Sequence, residues 1–172
     1  NNKYNIYMTT KKQNLSDYDP TTVPSGKGMK IGIVAAEWNP TVTNAMLEGA
    51  YDTLVQYGVD ESDIEVMRVP GTYELTYGGK LLLERTPCEA VICIGCVIQG
   101  ETRHFDFICE AVAQGLTNLA LQNDAPVIFS VLTTNTMEQA LDRAGGKHGN
   151  KGVEGAITCL KMLSLKNNCR HE

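Results

Sequence analysis

The chain has 172 residues, about one domain's worth, with 42% apolar residues and 16 glycines, a globular composition rather than a disordered one. Twenty acidic against fifteen basic residues leave a net charge of −5, which argues against a broad basic face and so against the nucleic-acid-binding classes. The longest apolar run, nine residues from Ala90 to Ile98, is far short of the ~20 needed to span a bilayer, so no membrane partner is expected.

Residues 1–28 read as a polar, partly flexible arm, with Lys3, Lys11, Lys12, Asp17, Asp19 and Lys27 set among Asn, Thr and Ser. The arm lacks the apolar core of a secretory signal, so a cytoplasmic location is expected, with a processed leader ahead of Asn1 left open. Residues 29–172 read as a single domain in which β-branched runs alternate with helical periodicity, the α/β pattern. Lys30 to Ala35 is the first predicted strand, and Asn39 as N-cap with Pro40 as first helical residue opens a helix that Gly58 ends. Its apolar face is Val42, Ala45, Met46, Gly49, Ala50, Leu54 and Tyr57.

A second strand spans Ile64 to Val69 and breaks at Pro70-Gly71, and a helix follows to about Arg85. Ala90 to Ile98 is the third strand, and the next helix buries the stripe Ile108, Ala111, Val112, Gly115, Leu116 and Leu119. Pro126 to Leu132 is the fourth strand, after which Asn135 and Glu138 form the pattern of a capping box for a short helix to Ala144. A glycine-rich turn from Gly145 to Gly152 leads to a final helix with Val153, Ala156, Ile157, Leu160 and Leu163 on one face.

Six cysteines in a chain of this size do not require a disulfide framework. Cys93-Ile94-Gly95-Cys96 has the spacing of a zinc or redox motif, but it lies in a predicted strand, where residues three apart point to opposite faces. No second Cys/His pair follows at ligand spacing, so no metal is expected.

Right-handed crossovers make the four strands parallel, and open α/β sheets bind ligands beyond the strands' carboxyl ends. The segments there are Glu37-Trp38-Asn39, Pro70-Gly71-Thr72-Tyr73-Glu74, Gln99 to His104, and Thr133-Thr134-Asn135. Gly100-Glu101-Thr102 precedes a helix N-terminus, which favours an anion but also suits an ordinary turn. His104 begins that helix, and an imidazole titrates close enough to neutrality for proton transfer; a capping or surface histidine is the plainer reading. Trp38 reads as a stacking platform or a core anchor, Glu74 as a ligand or a first-turn carboxylate favoured by the helix dipole. Arg143 and Lys151 flank the glycine-rich turn and suit either a phosphate clamp or the ends of their helices. The residues alone therefore point to a small polar or phosphorylated planar ligand and acid–base chemistry through His104.

In these same segments the chain resembles the 6,7-dimethyl-8-ribityllumazine synthase family over about residues 29–165. The resemblance is carried by Trp38-Asn39, Val69 to Glu74, Gly95 to Phe105, Pro126 to Phe129, and Arg143-Ala144-Gly145 with Gly149-Asn150-Lys151-Gly152. It implies a three-layer, flavodoxin-like sandwich whose four-stranded parallel sheet has the order 2-1-3-4. The implied reaction condenses 5-amino-6-ribitylaminouracil with 3,4-dihydroxy-2-butanone 4-phosphate, releasing phosphate and water, without a cofactor. On the family pattern Trp38 stacks on the pyrimidine, Asn39 and Glu74 take ribityl hydroxyls beside Thr72 and Tyr73, and Val97 and Ile98 contact the ring. Gly100, Glu101, Thr102 and Arg143 hold the phosphate, and His104 is the acid/base. Phe129, Arg143 and Lys151 come from the neighbouring subunit.

The resemblance also implies a homopentamer with its sites between subunits, an N-terminal segment that joins a neighbour's sheet, and two further levels of association, an icosahedral shell and riboflavin synthase. Two positions depart from the family form: Gln99 stands where a basic residue is common, and Arg103 brings positive charge beside His104. Rival readings are an archaeal-type riboflavin synthase-like enzyme, a flavin-binding container without catalysis, and a receiver-like signalling domain. The receiver lacks its aspartate cluster here, since the first and third strands end in Glu37-Trp38-Asn39 and Gln99-Gly100.

Overall fold

The structure, a computed structural model, describes Asn14 and residues 16–169. The expectations for residues 1–13 and 15, including an arm added to a neighbour's sheet, lie outside the described residues. The elements in chain order are β1 (Ile31–Ala36), α1 (Pro40–Gln56), β2 (Ile64–Val69), α2 (Leu75–Arg85), β3 (Ala90–Ile98), α3 (His104–Asn123) and β4 (Val127–Thr134). A short α4 (Met137–Leu141), a small antiparallel ribbon of β5 (Ala144–Gly146) and β6 (Gly149–Asn150), and α5 (Lys151–Cys169) complete the described residues.

Four strands pair in parallel in the order β2-β1-β3-β4. β1 is buried along its whole length, which explains why its sequence is apolar throughout rather than alternating. The pleat sends alternate side chains to two cores. Ile31, Ile33 and Ala35 face α1 and α5 with Met46, Leu54, Leu160 and Leu163, whereas Val34, Val91 and Cys93 face α2 and α3 with Leu75, Leu82, Val112 and Leu116. Cys96 lies in the first core and Cys93 in the second, so the Cys-x-x-Cys pair is divided by the sheet. Burial pushes both thiols up, Cys96 to about 11, so neither is a thiolate near neutral pH.

One local expectation is met in position and another is corrected. Asn39 is the N-cap of α1 with Pro40 first in the helix, but it makes no side-chain cap bond; it adopts the left-handed conformation (φ 57°, ψ 56°) and turns its amide across to β3. The cap of α4 is shifted by one residue: Thr136 Oγ1 accepts from Gln139 N at 3.2 Å, and Gln139 Oε1 accepts from Asn135 N at 2.9 Å. The described residues of the polar segment before β1 lie against the body, with the Tyr18 and Tyr57 hydroxyls 3.3 Å apart and Asn150 N donating to Ser16 Oγ at 2.9 Å.

Candidate active site

The chain turns from β1 toward β2 on one side and from β3 toward β4 on the other, so the crevice between the ends of β1 and β3 is the topological switch point. The β1–β3 register ends at Ala35 and Ile94, while β3 pairs with β4 as far as Ile98 and Thr134. β3 therefore extends past its neighbour and forms one wall of an open cavity of about 550 Å³. Trp38, Asn39, Gly71, Thr72, Tyr73, Glu74, Cys96, Val97, Ile98, His104 and Ile108 line it.

Each wall has an identifiable support. Glu37 N donates to Val69 O at 2.7 Å and Trp38 N to Pro70 O at 3.1 Å, which continues the β1–β2 pairing past the strand end and fixes the tryptophan backbone. Its indole remains 72% exposed, so Trp38 is not a core anchor. Cys96 O is the hub of the floor, accepting from Asn39 Nδ2 at 3.0 Å and, more distantly, from Thr72 Oγ1 at 3.5 Å. Thr72 comes this close because position 95 is glycine: a Cβ there would lie 2.7 Å from Thr72 Oγ1. The 3-10 turn Thr72–Glu74 then runs into α2, leaving Tyr73 and Glu74 exposed beside the opening.

On the opposite rim His104 opens α3, and its backbone N lies 3.4 Å from Thr102 Oγ1. Gly100, Glu101 and Thr102 are exposed in the loop just before it. The Arg103 guanidinium leans along its own helix, 5.4 Å from the Phe107 ring centroid and 3.7 Å from Asp106 Oδ2.

The remaining candidates sit elsewhere. Phe129 and Lys151 line a separate, largely apolar groove of about 880 Å³ along the β4 edge, with Leu121, Met162 and Leu165. Lys151 Nζ pairs with Glu154 Oε1 at 2.7 Å, and Lys151 N donates to Arg143 O at 2.8 Å, which links the two basic residues across the β5–β6 ribbon. The Arg143 side chain is half-buried, with Nη1 donating to Gln139 O at 2.9 Å. One copy of the chain thus carries two partial surfaces: Trp38 to His104 at the sheet's carboxyl end, and Phe129 with Lys151 at its edge. The sequence reading did not single out Cys96, whose carbonyl organises the floor, or Ile108, one turn after His104 on α3. Ile108's signal was its place in the apolar stripe, but Cys96 acts through its backbone and had none.

Among the described residues, no cluster of three His, Cys, Asp or Glu side chains is arranged to hold a metal ion. No helix among them is long and apolar enough to cross a membrane.

Residues 28–167 match the family model described as 6,7-dimethyl-8-ribityllumazine synthase. The chain is 55% identical over 159 residues to the 6,7-dimethyl-8-ribityllumazine synthase of Porphyromonas gingivalis, covering 92% of this chain and 99% of that one. The proteins of the same description from Parabacteroides distasonis and Flavobacterium johnsoniae are 53% and 50% identical, each over 92% of this chain and over 99% and 84% of their own lengths.

Proposed function

The chain belongs to the 6,7-dimethyl-8-ribityllumazine synthase family, and from that premise we propose which residues carry the reaction and how they are assembled. The protein is a transferase of riboflavin biosynthesis that condenses 5-amino-6-ribitylaminouracil with 3,4-dihydroxy-2-butanone 4-phosphate, giving the lumazine, phosphate and water. The observation that carries the site assignment is the cavity at the switch point, where an exposed indole, an amide, a carboxylate and an imidazole converge. Its volume, about 550 Å³, suits a ring with a polyol chain.

In this reading Trp38 stacks on the pyrimidine, and the backbone of Val97 and Ile98, projecting beyond β1, meets the ring's polar edge. Asn39 Nδ2 is committed to Cys96, so its amide oxygen serves a ribityl hydroxyl, with Glu74 as the second acceptor and Thr72 and Tyr73 beside them. Gly100, Glu101 and Thr102 bring the start of the 20-residue α3 toward the phosphate, where unpaired N–H groups and the helix dipole favour an anion, and Arg143 supplies a guanidinium. An amine must add to a ketone, water and phosphate must leave, and the ring must close. His104 moves the protons of these steps, while most of the acceleration comes from holding two flexible reactants together. With Trp38→Ala, the KM for the uracil substrate should rise roughly ten-fold with little change in kcat, as expected for loss of stacking area used equally in ground and transition states. Unchanged saturation kinetics would remove Trp38 from the site.

The two partial surfaces support assembly. Tyr73, Tyr77 and Phe107 are exposed along α2 and α3, and Leu121, Phe129, Met162 and Leu165 are exposed around the groove at the β4 edge, two groups of large apolar side chains open to a partner. Two different patches on one subunit are what a head-to-tail contact needs, and such contacts close into a ring where the rotation between subunits closes. The ring is a cytoplasmic homopentamer in which Phe129, Arg143 and Lys151 of one subunit complete the cavity of the next; a shell of pentamers and capture of riboflavin synthase are its further levels of association. Subunit mixing tests this directly. When His104→Ala and Lys151→Ala chains are unfolded together and reassembled in equal amounts, about a quarter of the interfaces should carry one intact site. Activity should therefore rise well above that of either variant alone. A mixture no more active than its components places both residues in one subunit's site.

A further inference from the structure

We propose that Ser130 is a positioning residue for Lys151, and that its hydroxyl sets the geometry of the half-site that one subunit presents to the next. The inference rests on the reading above that Lys151 contacts the uracil substrate. It adds a residue with no part in that reading.

Ser130 is the one polar side chain in Val127-Ile128-Phe129-Ser130-Val131-Leu132, and it is fully buried. A hydroxyl at such a position gives up apolar packing and must be hydrogen-bonded to avoid a larger penalty. Its partner is the backbone of the candidate lysine: Ser130 Oγ donates to Lys151 O at 2.7 Å. Gly155, one turn along α5, gives it room, since a Cβ there would lie 2.8 Å from Ser130 Oγ. The contact is therefore built from both sides.

Three bonds then fix Lys151. Ser130 holds its carbonyl, Arg143 O accepts from its N–H at 2.8 Å, and Glu154 Oε1 pairs with its ammonium at 2.7 Å. Ser130 is also the residue after Phe129 on β4, and successive strand side chains point to opposite faces. Phe129 faces the groove while Ser130 points inward to the first residue of α5, so one bond sets the spacing of the two groove-lining candidates. Without it, the first turn of α5 is held to β4 by packing alone. Small displacements of a binding group are costly when two reactants must be held in register.

The test is a double-mutant cycle with Ser130→Ala and Lys151→Met, read by the KM for each substrate, kcat, and the midpoint of thermal unfolding. In the parent, Ser130→Ala should raise the KM for 5-amino-6-ribitylaminouracil about five-fold and leave kcat and the KM for the phosphate substrate near their parent values. In the Lys151→Met background the same change should do nothing further. A merely structural role for Ser130 predicts the reverse: a lower midpoint and less active protein, with both KM values unchanged and equal losses in both backgrounds. That pattern, or no effect of Ser130→Ala where Lys151→Met has one, overturns the proposal and leaves the Lys151 reading intact. Lys151→Met without any effect on KM overturns the Lys151 reading itself, and this proposal with it. Should Ser130→Ala fail to fold, Ser130→Cys keeps the volume with a weaker donor and should give a smaller rise in the same KM; no rise there also overturns the proposal.

Discussion

Replacing His104 by alanine should lower kcat by roughly ten- to a hundred-fold while leaving both KM values within about two-fold of the parent. General acid–base catalysis by a positioned side chain commonly contributes about 10²–10⁴-fold. The structure argues for the bottom of that range or somewhat below it. His104 is exposed on the rim of an open cavity, so water can reach the same atoms and take over part of the proton traffic when the imidazole is removed. What water cannot replace is the alignment of two reactants by the cavity walls, and none of the bonds fixing Trp38, Asn39 and Thr72 passes through the His104 side chain. Lumazine formation and phosphate release should fall together, because the same group serves imine formation and elimination. Following product fluorescence and free phosphate in one reaction checks this. A kcat within two-fold of the parent would leave His104 as no more than the first residue of α3.

The strands of this fold were the most readable part of the sequence. The runs Ile64 to Val69 and Ala90 to Ile98 are β2 and β3 with the boundaries that their β-branched residues mark, and the pleat placed Cys93 and Cys96 on opposite faces. β4 runs two residues beyond its apolar run because Thr133 and Thr134 pair with Val97 and Ile98; backbone pairing is indifferent to the polarity that made them read as a loop. The α4 cap was missed for a related reason: two capping patterns, Asn135 with Glu138 and Thr136 with Gln139, overlap one residue apart, and only the direction of the chain leaving β4 selects between them.

At the site, the rule that ligands bind beyond the strands' carboxyl ends led to Trp38, Thr72 to Glu74 and His104 without any coordinates. Other features depend on tertiary context. The left-handed conformation of Asn39 accompanies its bond to Cys96 O, which is 57 residues away in sequence. The separation of Phe129 and Lys151 from the cavity cannot be derived from spacing along the chain. Ser130 had a visible signal, a lone hydroxyl in an apolar strand, whose meaning appears only when Lys151 O is found above it.

The largest loss of stability should come from Gly152→Ala, at the seam between α1 and α5. A Cβ on residue 152 would lie 1.9 Å from Met46 O and 2.6 Å from Met46 C, both backbone atoms of a helix interior, so no side-chain rotation relieves the clash. Restoring ordinary contact, near 3.4 Å or beyond, requires α1 and α5 to separate by more than about 1 Å at this end. Asn150 resists that separation, since Nδ2 donates to Ala45 O at 3.0 Å while Oδ1 accepts from Gly152 N at 2.8 Å. Relief of the clash thus strains the bolt between the helices and loosens the packing of Met46, Ala50, Ala156 and Leu160 behind it. We expect a loss of about 3 kcal/mol or more, toward the upper end for a single buried methyl. For a chain of this size that is a fall of roughly 6–12 °C in the thermal midpoint, measured at fixed protein concentration because assembly contributes to the transition. Lys151 is the residue immediately before Gly152, so the protein that remains folded should also show a higher KM for the uracil substrate, the same signature expected for Ser130→Ala. A midpoint within about 2 °C of the parent would mean that the α1–α5 seam yields more easily than its two backbone-anchored bonds imply.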